Sequence, residues 1–226
     1  MELDSTIETR TFLHFKWCKL CCELGVENRD LISEKFKELY EDYSRPHRYY
    51  HAPQHIVQCL YEFEKAKHLS GNPLAVKFAL FGHDKFYDVT RDDNEFRSGA
   101  WARDTALEMG SGVNFALCVH NLILPTDHKL LPPLSIDAKI TVDIDLSFLG
   151  AYPEIFDENT EKIAREYLEV LNITRKQFNA GRVKWMESML LPNRPYIYST
   201  DFFSKKYEAQ AQENLKRALK ELKTGA

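Results

Sequence analysis

The stretch following Gly71-Asn72-Pro73 sets the strongest constraint on how this chain can fold. Leu74, Val76, Phe78, Ala79, Leu80 and Phe81 make it apolar almost all round. A helix without a polar face belongs inside a domain rather than on its surface. The run ends by delivering His83 and Asp84.

The remaining sequence reads as further helices. Residues 6–24 space their apolar side chains with a helical period and stop at Gly25. Asn28 is placed to cap a helix over about 29–43. Residues 44–48 interrupt it, because the residue before Pro46 is pushed out of the helical region. A third helix runs from Pro53, acceptable only in a first turn, to about Leu69. Asn94 begins a helix reaching Met109, and another covers about 112–124. Residues 125–135, with their prolines, are the most loop-like part of the chain. Ser135 opens a helical stretch through Ile140, Ile144 and Phe148 that Gly150 ends, and Pro153 to Leu171 follows. A capping box at Thr174 and Gln177 starts a helix to about Leu191, and the last spans about Asp201 to Leu222. No alternating run and no Asn-Gly turn marks a strand. The expected fold is all-α: one domain over residues 1–226, a helical bundle of about nine or ten helices.

Composition narrows the function by exclusion. A net charge of −4 argues against a nucleic-acid or membrane-surface binder driven by bulk charge. No run approaches the ~18 apolar residues of a membrane helix, and the first thirty residues hold no signal-type apolar stretch, so a cytoplasmic protein is expected. The five cysteines lack zinc-ribbon spacing and read as small core residues of a reducing compartment.

Histidines and carboxylates supply the chemistry. Metal sites in helical domains draw ligands from inward faces that converge, and the candidates are His51, His55, His83, Asp84, His128, Asp143 and Asp145. Two imidazoles with two carboxylates suit a divalent manganese, iron, magnesium, nickel or zinc ion. Such an ion lowers the pKa of bound water towards ~7 and makes a nucleophile available at neutral pH. Asp84 sits at the negative end of its helix, where a carboxylate is electrostatically disfavoured, and so suggests a bound cation. Asp143 and Asp145 are two apart, so on a helix only one can face the metal.

At this point the chain resembles a family. It reads Arg48-Tyr49-Tyr50-His51 with His55-Ile56, His83-Asp84-Lys85-Phe86-Tyr87-Asp88, Asn94-Glu95, Asp143-Ile144-Asp145-Leu146 running to Leu149-Gly150, and Arg165-Glu166-Tyr167. These segments are similar to those of the HD superfamily of metal-dependent phosphohydrolases, over about residues 40–220. The resemblance implies a metal-binding core over about 44–150, flanked by N-terminal helices at 6–43 and C-terminal helices at 153–222. It puts His55, His83, Asp84 and Asp145 in the ligand positions. A more distant likeness to cyclic-nucleotide phosphodiesterases implies His51 as the general acid. Those enzymes carry a further histidine where this chain has Tyr87, so the likeness does not extend to their second metal.

The expected activity is hydrolysis of a small phosphate ester, with a nucleotide among the candidates, and with Asp84 and His51 as catalytic residues. A metal-dependent iron oxygenase and a non-catalytic module with a structural metal are the alternatives. His51 just before a helix needs a carboxylate partner to act as an acid near neutrality, and the sequence does not name it. Asp145 is favoured over Asp143 as ligand; Asp143 and His128 remain candidates for a second metal or for a supporting position. Arg48, Lys85, Arg97 and Asn94 lie close enough in sequence to bind phosphate. Tyr43, Tyr49, Tyr50, Phe86 and Tyr87 are candidates for a pocket wall. Arg165 and Arg182 match the family pattern, with structural salt bridges as the expectation for both.

Overall fold

In a computed structural model of the protein, which describes residues 6–128, 135–192, 194 and 196–224, the secondary structure is helical and no strand occurs among those residues. Ten α-helices follow one another: α1 Thr6–Glu23, α2 Arg29–Tyr43, α3 Pro53–Ala66, α4 Pro73–Gly82, α5 Asn94–Glu108, α6 Val113–Ile123, α7 Ile136–Asp145, α8 Pro153–Leu171, α9 Arg175–Met189 and α10 Asp201–Thr224. Short 3₁₀ turns at Lys67–Leu69, Leu124–Asp127 and Leu146–Gly150 extend α3, α6 and α7. Residues expected to continue those helices have wound into the tighter form instead. Residues 129–134 of the expected proline loop lie outside the described set.

The apolar run forms the centre. From Ala75 to Gly82 every residue of α4 is buried, and α4 packs against α1, α3, α5, α6 and α7. Trp17 of α1 lies across Phe78 and Phe81 at 5.4 and 5.2 Å between ring centroids. Lys77, the one charge on α4, keeps its ammonium 3.5 Å from Glu23 at the end of α1. One continuous core joins residues from Leu13 on α1 to Ala218 on α10, as the single-bundle reading requires.

Local signals set the helix ends. The side chains of Asn28, Asn72 and Ser135 accept from backbone N–H groups three residues on, and Thr174 with Gln177 forms the reciprocal capping box. Pro53 takes the first position of α3, where its missing N–H costs nothing. Gly150 has a different reason. A Cβ there would stand 2.6 Å from Cβ of Tyr207, so only glycine lets the turn after α7 lie directly on α10. Asn214 of α10 locks that contact by donating to the carbonyls of Leu149 and Ala151, each at 2.9 Å. The bundle therefore holds the C-terminal end of α7 against the ends of α3 and α4.

Cysteines follow the expectation in part. Cys21 and Cys59 are buried, Cys18 and Cys118 half-buried, and Cys22 is exposed. All are free thiols.

Candidate metal centre

Four side chains meet where those three helices converge. His55 stands in the first turn of α3, His83 and Asp84 in the turn that ends α4, and Asp145 is the last residue of α7. Nε2 of His55 lies 3.0 Å from Nε2 of His83, 3.1 Å from Oδ1 of Asp145 and 3.5 Å from Oδ2 of Asp84. Nε2 of His83 lies 3.1 Å from Oδ2 of Asp84 and 3.5 Å from Oδ1 of Asp145. Ligand atoms ~2.1 Å from an ion stand ~3.0 Å apart at right angles and ~3.4 Å apart at the tetrahedral angle. The observed spacings fall in that range, so these residues fit a divalent cation.

Two further features support the fit. Nδ1 of His83 lies 3.1 Å from the Leu80 carbonyl, which can only accept; Nδ1 therefore carries the proton and Nε2 faces the cluster. Oδ2 of Asp84 is shut from solvent and, with the His83 proton on Nδ1, is left without a hydrogen-bond donor, which is rare for a buried carboxylate oxygen. Burial alone would lower the His83 pKa, yet Asp84 and then Asp145 hold it well above the usual imidazole value. Burial alone would raise both carboxylates, and the neighbouring imidazoles hold both below their usual range. The pattern is that of a site that attracts positive charge, whether proton or metal.

His51 sits beside the cluster and has the partner that its sequence position did not reveal. Nδ1 of His51 is 2.7 Å from Oε2 of Glu166, a fully buried carboxylate on α8. The other oxygen, Oε1, accepts from the backbone N–H groups of Tyr49, Tyr50 and His51 at 2.8, 2.8 and 2.9 Å. Glu166 thus holds the whole Tyr49–His51 turn and orients the ring. Burial opposes charge on His51, but Glu166 and then Asp84 raise its pKa above the usual value. Burial likewise opposes the Glu166 charge, and His51 with the turn's N–H groups lowers it. The phenol ring of Tyr87 stacks on the imidazole at 3.9 Å between centroids. The only trace of this partnership in the sequence is the Arg165-Glu166-Tyr167 segment, which matched the family pattern without an assigned role.

The remaining candidates divide. Asp143 turns away from the cluster: its oxygens accept from Ser199 N at 2.7 Å, Thr200 N at 2.8 Å and Thr200 Oγ1 at 2.7 Å, just before α10. This places Asp143 neither at a second metal nor beside the first. His128 does approach the cluster, with Nε2 2.9 Å from Oδ2 of Asp145, the oxygen that does not face His55.

The expected phosphate cations are committed elsewhere. Arg48 is buried and donates to the carbonyls of Asp84 at 2.6 Å, Lys85 at 2.7 Å and His51 at 3.3 Å, strapping the two histidine-bearing turns together. The buried Lys85 ammonium lies between the carboxylates of Glu38, at 2.9 Å, and Asp42. Arg97 covers the ring of Phe86 at 4.4 Å. Asn94 exchanges hydrogen bonds with the backbone of Asp88. Arg165 pairs with Glu169 at 3.8 Å and stacks on Tyr49, as expected of a structural residue. Arg182 departs from expectation: among the described residues it forms no ion pair with a carboxylate, and its Nε and Nη2 are buried without partners.

A cavity of about 420 Å³ opens onto the cluster, lined by His51, Asp84, Asp145 and His128 on one side and by residues of α8 and α9 on the other. Tyr50 and Tyr87 of the expected aromatic wall line it, while Tyr43 is fully buried in the core. A second cavity of about 430 Å³ runs along the other side of α3 between α1 and α8, touches His55 and Tyr50, and includes neither Asp84 nor Asp145. No helix among the described residues is long and apolar enough to cross a membrane. Neither a scan of protein-family models nor searches of curated proteins and of solved structures return a match.

Proposed function

We propose that the protein is a metal-dependent phosphohydrolase acting on a small phosphate ester. One observation carries this reading: a two-histidine, two-carboxylate cluster with cation-like spacing borders the same cavity as an imidazole held by a buried glutamate. A divalent ion held by His55, His83, Asp84 and Asp145 would polarise the phosphoryl group and lower the pKa of a bound water. The other steps belong to the chain. Glu166 fixes a proton on Nδ1 of His51, so Nε2 faces the cavity and, in the imidazolium form, can hand a proton to the departing oxygen. Tyr87 stacked on that ring and Glu166 behind it keep the acid in one orientation. The donated hydrogen bond from His128 keeps Asp145 turned towards the histidines.

The test is a screen of nucleotides and sugar phosphates with manganese, magnesium, iron and zinc, using His83→Ala as the blank. Ester turnover that needs both an ion and His83 supports the reading; turnover undiminished in His83→Ala overturns it. The same donor set suits iron, so each assay is repeated without oxygen; strict oxygen dependence would move the protein to oxidative chemistry.

A further inference from the structure

Buried polar atoms without a hydrogen-bond partner are rare in native structures, and each calls for a ligand, an ion or a water. Nine side-chain atoms of this kind occur among the described residues, and five belong to residues lining the cavity beside the metal cluster: Tyr50 Oη, Asp84 Oδ2, His128 Nδ1, and Nε and Nη2 of Arg182. Asp84 Oδ2 faces the ion position. The Arg182 pair is the feature that the centre itself does not explain.

Arg182 stands in the middle of α9 with its guanidinium carbon 4.1 Å from the ring centre of Trp185, one turn further along. The indole acts as a shelf that holds the guanidinium plane. Every other cationic candidate in the lining has a carboxylate: Arg91 is bound two-fold by Asp93, His51 by Glu166 and His128 by Asp145. Among the described residues the groups coupled to Arg182 are the phenols of Tyr167, Tyr87 and Tyr50 rather than any carboxylate. Burial brings its pKa down to about 10, which leaves it charged at neutral pH but poorly compensated. Arg182 is half-buried and lines the cavity with donors that no protein group uses, and such a guanidinium is complementary to an oxyanion, which can accept two parallel N–H bonds.

We propose that Arg182 is the anion-binding residue of this cavity, receiving a phosphoryl oxygen of a small phosphate ester; the assignment of that anion as a substrate group rests on the phosphohydrolase reading above. The cavity volume is that of a pocket for one small metabolite.

The test titrates inorganic phosphate into the manganese-loaded full chain by calorimetry, with manganese affinity measured on the same samples by electron paramagnetic resonance. Wild type should bind phosphate, and Arg182→Gln should bind it about ten- to a hundredfold more weakly at unchanged manganese affinity, the loss for a hydrogen bond to a charged group. Arg182→Lys should fall between them, since an ammonium keeps the charge but loses the fork. Equal phosphate affinity in wild type and Arg182→Gln, no phosphate binding by wild type at millimolar concentration, or phosphate loss only together with manganese loss would each overturn the proposal. If Arg182→Gln shows no cooperative melt, Arg182→Lys decides: weaker phosphate binding at unchanged manganese affinity supports it and equal binding overturns it. Ester turnover by wild type is measured in parallel. Arg182-dependent phosphate binding without turnover leaves the anion seat standing and removes the hydrolase reading. Turnover with an unaltered KM in Arg182→Gln does the reverse.

Discussion

Two aspartates end α7 two residues apart, and they serve opposite purposes. Asp143 faces the seam with α10, where Ser199 and Thr200 give three donors to its oxygens. Asp145 faces the seam with α3 and α4, where imidazoles surround it. The same division recurs elsewhere. Asp137 accepts from Ser70 Oγ and the N–H groups of Gly71 and Asn72, and Glu166 from the Tyr49–His51 turn; both are clamps that satisfy backbone donors at chain turns. Asp84 has a buried oxygen that no backbone N–H reaches and that lies against the Nε2 atoms of His83 and His55. A buried carboxylate surrounded by N–H groups is complete as protein, whereas one surrounded by histidine nitrogens is complete only with a proton or a cation. Donor identity, not burial, separates the clamps from the candidate metal centre in this bundle.

Substitutions should separate the two classes, and the largest effect belongs to the cluster. Asp84→Ala is expected to abolish metal-dependent turnover and metal uptake while circular dichroism still reports a folded helical protein; full activity in that variant would end the phosphohydrolase reading. Glu166→Ala removes a buried charge that serves His51 and three N–H groups. It should lower unfolding free energy by about 3–5 kcal/mol in a denaturant titration. His128→Ala should weaken metal binding by about ten- to a hundredfold with little change in stability, as outer partners of metal ligands do. Asp143→Asn should do the opposite, costing about 1–3 kcal/mol of stability with metal affinity unchanged. A metal-affinity loss in Asp143→Asn equal to that in His128→Ala would erase the distinction between the two seams.

The smallest effect is a pH signature of the His51–Glu166 pair. Glu166 is held below its ordinary 4.5, so its contribution is present above pH 4.5 and lost as pH falls through the lowered value. His51 is held above its ordinary 6.5, so its contribution is present below pH 6.5 and lost as pH rises through the raised value. The melting-temperature difference between wild type and His51→Gln should therefore be greatest between pH 4.5 and 6.5 and shrink on both sides. A difference that grows steadily above pH 7 would contradict the pairing.

Much of the fold is local and was legible. Apolar periodicity, Asn and Ser caps, the Thr174–Gln177 box and the prolines locate the helices to within a turn. The central placement of α4 follows from its lack of a polar face. The rule that only one of two carboxylates two residues apart can point inward limits the choice to Asp143 or Asp145, the resemblance favours Asp145, and Asp145 is the one beside the histidines. The surroundings of the cations were not legible, for a physical reason. Arg48, Lys85, Arg97 and Arg182 are all long side chains whose heads travel far from their backbone positions. Nearness in sequence therefore says little about which carbonyl, carboxylate or ring a head will find.

The sequence by itself determined that the chain is helical, which helix is central, and which histidines and carboxylates could meet, because caps, periodicity and side-chain direction act over a few residues. Only the tertiary structure decided which partners complete them. Glu166 lies more than a hundred positions from His51 and Arg182 almost a hundred from Asp84, and no periodicity links such pairs. What joins them is the placement of α8 and α9 across one cavity from the turns before α3 and after α4. That placement also decides which charges meet a carboxylate within the protein and which, like Arg182, line a cavity without one among the described residues.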